Sequence, residues 1–269
     1  MNNLIGILGA NPNNCAAPEK IHHGIEHFHM EGYEAQFSEE LSPTESHKLT
    51  EVKFNWVVSL DGLSLAQELK SEYNIPYLTA LPVGKRSMFI WRNAVNDMME
   101  NTTAQHLTIP NKVPPRADNL NHHILLIGDS VLTTGIKQFL VFSEGFTHVD
   151  TAMYAASPEK IFLYNTALNK ASASTLEDSS LIPSMYFSDS AALQNIITKY
   201  DIIIGDKIFY NKLPNEVTKK QHWVYLPASG LTQNTEKEFY TIFGKKGAAW
   251  LQKELNLPVT EIVMQQKAM

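Results

Sequence analysis

Short apolar runs that stop at glycine, aspartate or asparagine recur along the chain, and segments with helical spacing of apolar residues follow them. The runs are nearly continuous in apolar residues, which is typical of strands buried on both faces of a parallel sheet. The clearest ones cover residues 4–8, 56–60, 124–127, 202–204 and 223–226. This alternation predicts repeated β-α units.

Two stretches contain a complete unit of strand, helix and next strand. In the first, residues 56–60 lead through Asp61-Gly62 into a helical face and then into an extended stretch at 75–78. In the second, residues 124–127 lead through Gly128-Asp129 into a helical face and then into a strand at 146–149. The helical faces consist of Leu63, Leu65, Ala66 and Leu69 in the first unit, and of Ile136, Phe139, Leu140 and Phe142 in the second. Both halves of the chain therefore have the same organisation.

A polar segment separates the halves, and we place the domain boundary between Asn101 and Asn121. Prolines 110, 114 and 115 lie there, and proline continues neither a helix nor a central strand. We assign residues 1–105 to a first lobe, 106–121 to a linker and 122–269 to a second lobe with a C-terminal helix. The predicted fold is α/β, with two doubly wound parallel-sheet (Rossmann-like) lobes. Ligands are expected in the cleft at the carboxyl ends of the strands.

Composition and charge exclude several classes of protein. Apolar residues make up 43% of the chain and charged residues 19%, which is a globular composition. The formal net charge of −6 disfavours nucleic acid as a partner. The amino terminus lacks the basic flank of a signal peptide, and no apolar run approaches the roughly 20 residues of a membrane span. We expect a cytoplasmic protein without a membrane partner.

Two Gly-Asp pairs end predicted strands, at Gly128-Asp129 and at Gly205-Asp206. A phosphate or dinucleotide loop is one interpretation, but such a loop needs three glycines at fixed spacing, and each of these turns has one. The simpler interpretation is that each aspartate accepts hydrogen bonds from the free amides of the following helix.

Histidine and cysteine also offer candidate chemistry. His22, His23, His27 and His29 form the densest titratable cluster, and two histidines four residues apart on a helix can share a metal ion. No third ligand is specified, so a solvated helix face is the alternative. Cys15 follows the first strand, where a helix amino terminus would lower its pKa and favour the thiolate; an inert thiol is the alternative. A single cysteine excludes an internal disulfide and a four-cysteine cluster site.

Candidate cleft-lining residues are the polar side chains that follow the predicted strands. No catalytic role and no metal-ligand role is assigned to them. They are Asn11, Asn14, Cys15, Ser59, Asp61, Asp129, Ser130, Asp206 and Ser229.

Six segments, in their order along the chain, resemble the nitrogenase component 1 type oxidoreductases. Each segment alone is a weak match, and their order and spacing cover nearly the whole chain. They are LIGILGAN at 4–11, NWVVS at 55–59, ELKSEYNIPY at 68–77, IGD at 127–129, DIIIG at 201–205 and FGKKGAAWL at 243–251. The resemblance implies two Rossmann-like domains that correspond to the last two of that family.

The chain departs from the family where the family binds its metal clusters. The first domain, which supplies cysteines for a shared iron–sulfur cluster, has no counterpart here. Ser59 stands where the catalytic subunit of the family has a cysteine ligand, and residues 226–229 lack the expected histidine. Because a serine hydroxyl is a poor ligand for cluster iron, no cofactor is predicted in the isolated chain.

Two hypotheses about function follow. The first is a truncated nitrogenase-like oxidoreductase subunit, a partner or scaffold in a reductase or in metal-cofactor assembly; it would bind a second copy of itself or a second nitrogenase-like subunit. Whether it is itself an enzyme stays open. The second is a stand-alone two-lobed protein, as in chelatase-like proteins, that binds a small ligand or metal complex in its cleft. A large exposed apolar face favours the first, and a polar cleft with a hinge favours the second.

Overall fold

The computed structural model describes residues 4–10, 34–38, 41–42, 46–99, 106–171, 175–176, 180–226 and 242–257. The strands are β1 (Leu4–Leu8), β2 (Glu34–Phe37), β3 (Phe54–Val57), β4 (Tyr77–Thr79), β5 (His123–Ile127), β6 (His148–Tyr154), β7 (Met185–Phe187), β8 (Ile202–Gly205) and β9 (His222–Tyr225). The helices are α1 (Leu63–Tyr73), α2 (Gly84–Met98), α3 (Ser130–Phe142), α4 (Pro158–Ala171), α5 (Ser190–Ile197), α6 (Lys207–Asn211), α7 (Asn215–Thr218) and α8 (Gly244–Glu254). Short 3₁₀ turns cover Ser46–Thr50, Leu60–Gly62 and Ala117–Asn119.

The strands form two all-parallel sheets, which confirms the predicted fold of two doubly wound lobes. The first sheet has the order β2-β1-β3-β4, and the second has the order β7-β6-β5-β8-β9. The chain order reverses between β1 and β3 in the first sheet, and between β5 and β8 in the second. Ligands of open α/β sheets bind outside the carboxyl ends of the strands at such reversal points.

Strand β5 shows why apolar runs of this kind form central strands. Ile124 and Leu126 pack into one apolar cluster, whereas Leu125 and Ile127 pack into another on the opposite face of the sheet. Both faces are covered, so each position along the strand has to be apolar. The sequence pattern of the run follows directly from this double burial.

Two predicted strands are displaced from their expected positions. β3 ends at Val57, and the turn Leu60–Gly62 takes the residues that follow. The strand expected at 146–149 runs instead from His148 to Tyr154. Its expected first residue closes the preceding helix, because Gly145 adopts a positive φ of 73° and the Phe146 amide donates to Leu140.

The two lobes share an apolar core rather than meeting at a wet interface. Trp56 from β3 and Trp91 from α2 pack with tilted rings whose centroids are 4.6 Å apart, and Phe243 ahead of α8 lies 5.4 Å from Trp56. Helix α8 follows the second sheet in the chain but packs against α2 of the first lobe. Residues 106–116 connect the lobes without a helix or strand. The domain limits at 105 and 122 stay a prediction.

None of the helices in the described part of the chain combines the length and the apolar character required to cross a bilayer.

Candidate functional site

The reversal points of the two sheets lie next to each other, and four of the predicted site residues meet there. Ser59 and Asp61 follow β3, and Asp129 and Ser130 follow β5. They come together because the Leu60 amide of the first lobe donates a 2.7 Å hydrogen bond to Oδ2 of Asp129 in the second lobe. We call these five residues the junction.

Asp129 is the central residue of the junction. Its Oδ1 atom accepts hydrogen bonds from the amides of Val131 at 2.8 Å and Leu132 at 3.3 Å, and it thereby caps α3 as the sequence predicts. Its Oδ2 atom binds Leu60 across the lobes. Loss of solvation, followed by the nearby negative charge of Asp61, raises the pKa of Asp129 from 3.8 to about 6 against the opposing effect of the three amides.

The serines of the junction are buried and bound to backbone carbonyls. Ser59 donates from Oγ to the Gly9 carbonyl at 2.6 Å, and Ser130 donates to the Leu181 carbonyl. Gly62 packs directly on the backbone of residues 8–9, where a Cβ atom would lie 2.6 Å from the Gly9 nitrogen. These contacts fill the space between the turns, so neither serine is presented as a nucleophile.

The space left between the lobes beside α3 is very small. Thr79 from the first lobe and Val131 from the second are among the residues that enclose it, and its volume is about 10 Å³. A space of that size holds about one water molecule. The described part of the junction is thus closely packed, and Asp61 is its exposed member.

The other predicted site residues do not join this group. Asp206 follows β8, the neighbour of β5, and accepts a 2.8 Å hydrogen bond from the Ile208 amide as the cap of α6. The residues Asn11, Asn14, Cys15 and Ser229, and the histidine cluster at 22–29, lie outside the described residues.

At the junction, Asp129 can bind a proton, and its hydrogen bond with Leu60 holds the two lobes together. Asp129 and Asp61 are the carboxyl groups of the junction, and both oxygens of Asp129 already accept amide hydrogen bonds. Among the described residues no group of three or more histidine, cysteine, aspartate or glutamate side chains could hold a metal ion. The inter-lobe hydrogen bond of Asp129 could not be predicted from the sequence. Its partner is the backbone amide of Leu60, and a backbone amide does not depend on the residue type.

Comparison with known proteins adds no family assignment. The chain matches none of the protein-family models, and a search of the curated proteins finds no match to it.

The raised pKa of Asp129 predicts a pH dependence of stability. The folded chain keeps this proton up to about pH 6, whereas the unfolded chain loses it near pH 3.8. The stability that protonation contributes is complete below pH 3.8 and is lost as the pH rises through 6. Asp129→Asn removes this effect, so between pH 4 and pH 7 the wild type should lose about 2 kcal/mol more stability than the variant, after a reduction for partial exposure.

Urea unfolding at both pH values measures this difference. Asp189→Asn is the matched control, since Asp189 is an exposed cap of α5 whose pKa is lowered, chiefly by a hydrogen bond from the Ala192 amide. Its effect lies below the unfolded-state pKa of 3.8, so Asp189→Asn should leave the difference between pH 4 and pH 7 nearly unchanged. If the wild type and Asp129→Asn lost the same amount of stability between pH 4 and pH 7, the assigned role of Asp129 would be wrong.

Proposed function

We propose that the chain is a nitrogenase-like partner or scaffold subunit that associates through the outer surface of α4. Phe162 and Leu163 are neighbours on this helix, with 71% and 57% of their surface exposed. This pair carries the proposal, because exposed apolar surface costs roughly 25 cal/mol per Å² and marks association sites. The two parallel-sheet lobes support the same proposal.

The opposite face of α4 is already used inside the molecule. Leu168 and Ala171 are buried in a cluster with residues of α1, and the Ala167 carbonyl accepts a 2.9 Å hydrogen bond from Gln67. Helix α4 is therefore fixed in orientation by the first lobe. A second protein that binds Phe162 and Leu163 would meet a rigid surface and lose little conformational entropy there.

The packing of the junction supports a subunit over a hinged binding module. A module that closes on a ligand requires an open space between its lobes. Here the Asp129–Leu60 hydrogen bond and the contact between Trp56 and Phe243 join the lobes directly. The partner we propose is a second copy of the chain or another two-lobed subunit.

Light scattering and sedimentation at micromolar concentration test the proposal. The wild type should self-associate, or should purify from its native host with a second two-lobed chain at fixed stoichiometry. The double substitution Phe162→Glu and Leu163→Glu should weaken this association about 100-fold or more, because two large apolar contacts are lost.

The control places the same two charges on another helix, through Ala191→Glu and Asn195→Glu at exposed positions of α5. This variant should associate like the wild type. A wild-type chain that stays monomeric and purifies alone contradicts the proposal, and so does equal weakening by both double variants.

A further inference from the structure

The association surface on α4 has a regular spacing of exposed residues. Glu159, Leu163, Thr166 and Lys170 are all exposed, and their spacing of four, three and four residues places them on one face of the helix. Phe162 lies beside this row and, with Leu163, makes the centre of the face apolar. Helices that pack side by side along a shared line use the same spacing. We call these five residues the α4 seam.

The two ends of the α4 seam carry opposite charges. Glu159 is in the first turn of α4 and Lys170 is in the last turn, about 16.5 Å away along the helix axis. In the described part of the chain, neither side chain forms an ion pair. The Ser157 hydroxyl donates a hydrogen bond to the Glu159 carboxylate and lowers the pKa of Glu159. At neutral pH the seam is therefore negative at one end and positive at the other.

The centre of the α4 seam offers apolar contact without an unsatisfied polar group. The Oγ1 atom of Thr166 donates a 2.9 Å hydrogen bond to the Phe162 carbonyl, so its hydroxyl is satisfied within the helix. The methyl group of Thr166 remains for apolar contact. Because Thr166 is smaller than Phe162 and Leu163, it leaves space beside them for a large side chain of another helix.

The order of residues along the α4 seam is complementary to its own reverse. When two copies of α4 run antiparallel about a twofold axis at the middle of the seam, Glu159 of one copy lies opposite Lys170 of the other. Leu163 of each copy then lies opposite the smaller Thr166. A parallel pair would instead place Glu159 opposite Glu159 and Lys170 opposite Lys170, and like charges disfavour that arrangement.

We propose that the chain forms a twofold dimer in which the α4 seams of two copies pair antiparallel. The inference rests on the association surface proposed above, and it names a second copy of this chain as the partner. Two reciprocal ion pairs between Glu159 and Lys170 lie on either side of the apolar centre. Lys160, the remaining charged residue of α4, faces the neutral Asn169. One pair of 14-residue helices buries less than the roughly 1,200 Å² of a standard interface, so we expect a dissociation constant in the micromolar range.

Charge variants of the intact chain test this pairing, with dissociation constants measured by sedimentation equilibrium. Glu159→Lys and Lys170→Glu each turn both ion pairs of the dimer into pairs of like charge, so each should weaken self-association about tenfold. The double variant, which exchanges the two charges, should associate like the wild type. An equimolar mixture of the two single variants should form a heterodimer of wild-type affinity, because both opposite-charge pairs return. Native mass spectrometry with a mass tag on one variant identifies this heterodimer.

Matched controls make the same charge changes at corresponding positions of other helices. Glu216→Lys lies in the first turn of α7, and Lys253→Glu lies in the last turn of α8. Neither control should alter self-association, alone or in the mixture. The mixture also separates pairing from helix stability, because each variant chain keeps its altered helix while the affinity recovers.

The outcomes distinguish failure of this inference from failure of the proposed function. If Phe162→Glu with Leu163→Glu weakens self-association but the charge variants do not, the surface is right and the antiparallel pairing is wrong. The pairing is also wrong if neither the double charge variant nor the mixture recovers the affinity. A chain that is monomeric alone but purifies with a different two-lobed chain overturns the second copy as partner and leaves the subunit proposal standing. A chain that does neither contradicts both.

Discussion

Replacing Gly135 with alanine is expected to destabilise the protein by about 3 kcal/mol, although alanine is the better helix former. Gly135 lies inside α3, where helix propensity alone would make the change stabilising by about 1 kcal/mol. A Cβ atom at this position would overlap the carbonyl oxygen of Leu81 in the first lobe. Backbone atoms cannot rotate away as a side chain does, so the two lobes would have to separate.

Urea unfolding monitored by circular dichroism measures the change in stability. A loss of stability indicates the backbone overlap, whereas a gain indicates that helix propensity alone decides the effect. Gly128→Ala is the control, because a Cβ atom there would meet only the Thr133 methyl group at 3.6 Å. The control should stay within about 0.5 kcal/mol of the wild type. If Gly135→Ala stabilised the protein, the close approach of α3 to the first lobe would be wrong.

The second large effect is expected at Trp56, whose replacement by alanine should cost about 4 kcal/mol. Trp56 is fully buried and contacts Trp91 and Phe243, with ring centroids 4.6 and 5.4 Å away. Its Nε1 atom donates a 2.8 Å hydrogen bond to the Ala80 carbonyl. Alanine would leave a cavity in the core that the two lobes share, so both should unfold together at lower urea concentration.

Trp56→Phe separates packing from hydrogen bonding in this effect. It keeps an aromatic ring but loses the bond to Ala80, and the expected loss of stability is about 1–2 kcal/mol. Tyr73→Ala, at a position 56% exposed, should change stability little. Two separate unfolding transitions in Trp56→Ala, with one lobe unaffected, would contradict a shared core.

Much of the fold followed from local patterns in the sequence. The run at 124–127 predicted β5, and the run at 202–204 predicted β8, because a strand buried on both faces must be apolar throughout. The short strands β2 and β7 were not identified. β2 has the sequence EAQF and β7 has MYF, so neither is an aliphatic run of the kind that predicted β5 and β8.

Part of the candidate site was also predictable. Asp129 and Asp206 were expected to cap helices, and both do, because a cap involves residues only two or three positions apart. The buried hydrogen bond from Gln252 to Glu144 was not predicted. It joins residues 108 positions apart, and no local pattern connects them.

The sequence alone determined the fold class, the apolar strands and the helix caps, because each depends on neighbouring residues. Only the tertiary structure decided the strand order, the displaced start of β6, the hydrogen bond from Leu60 to Asp129 and the return of α8 to the first lobe. These features depend on contacts between distant segments. Such contacts form only where the whole core packs without voids or overlaps. No single position in the sequence specifies that condition.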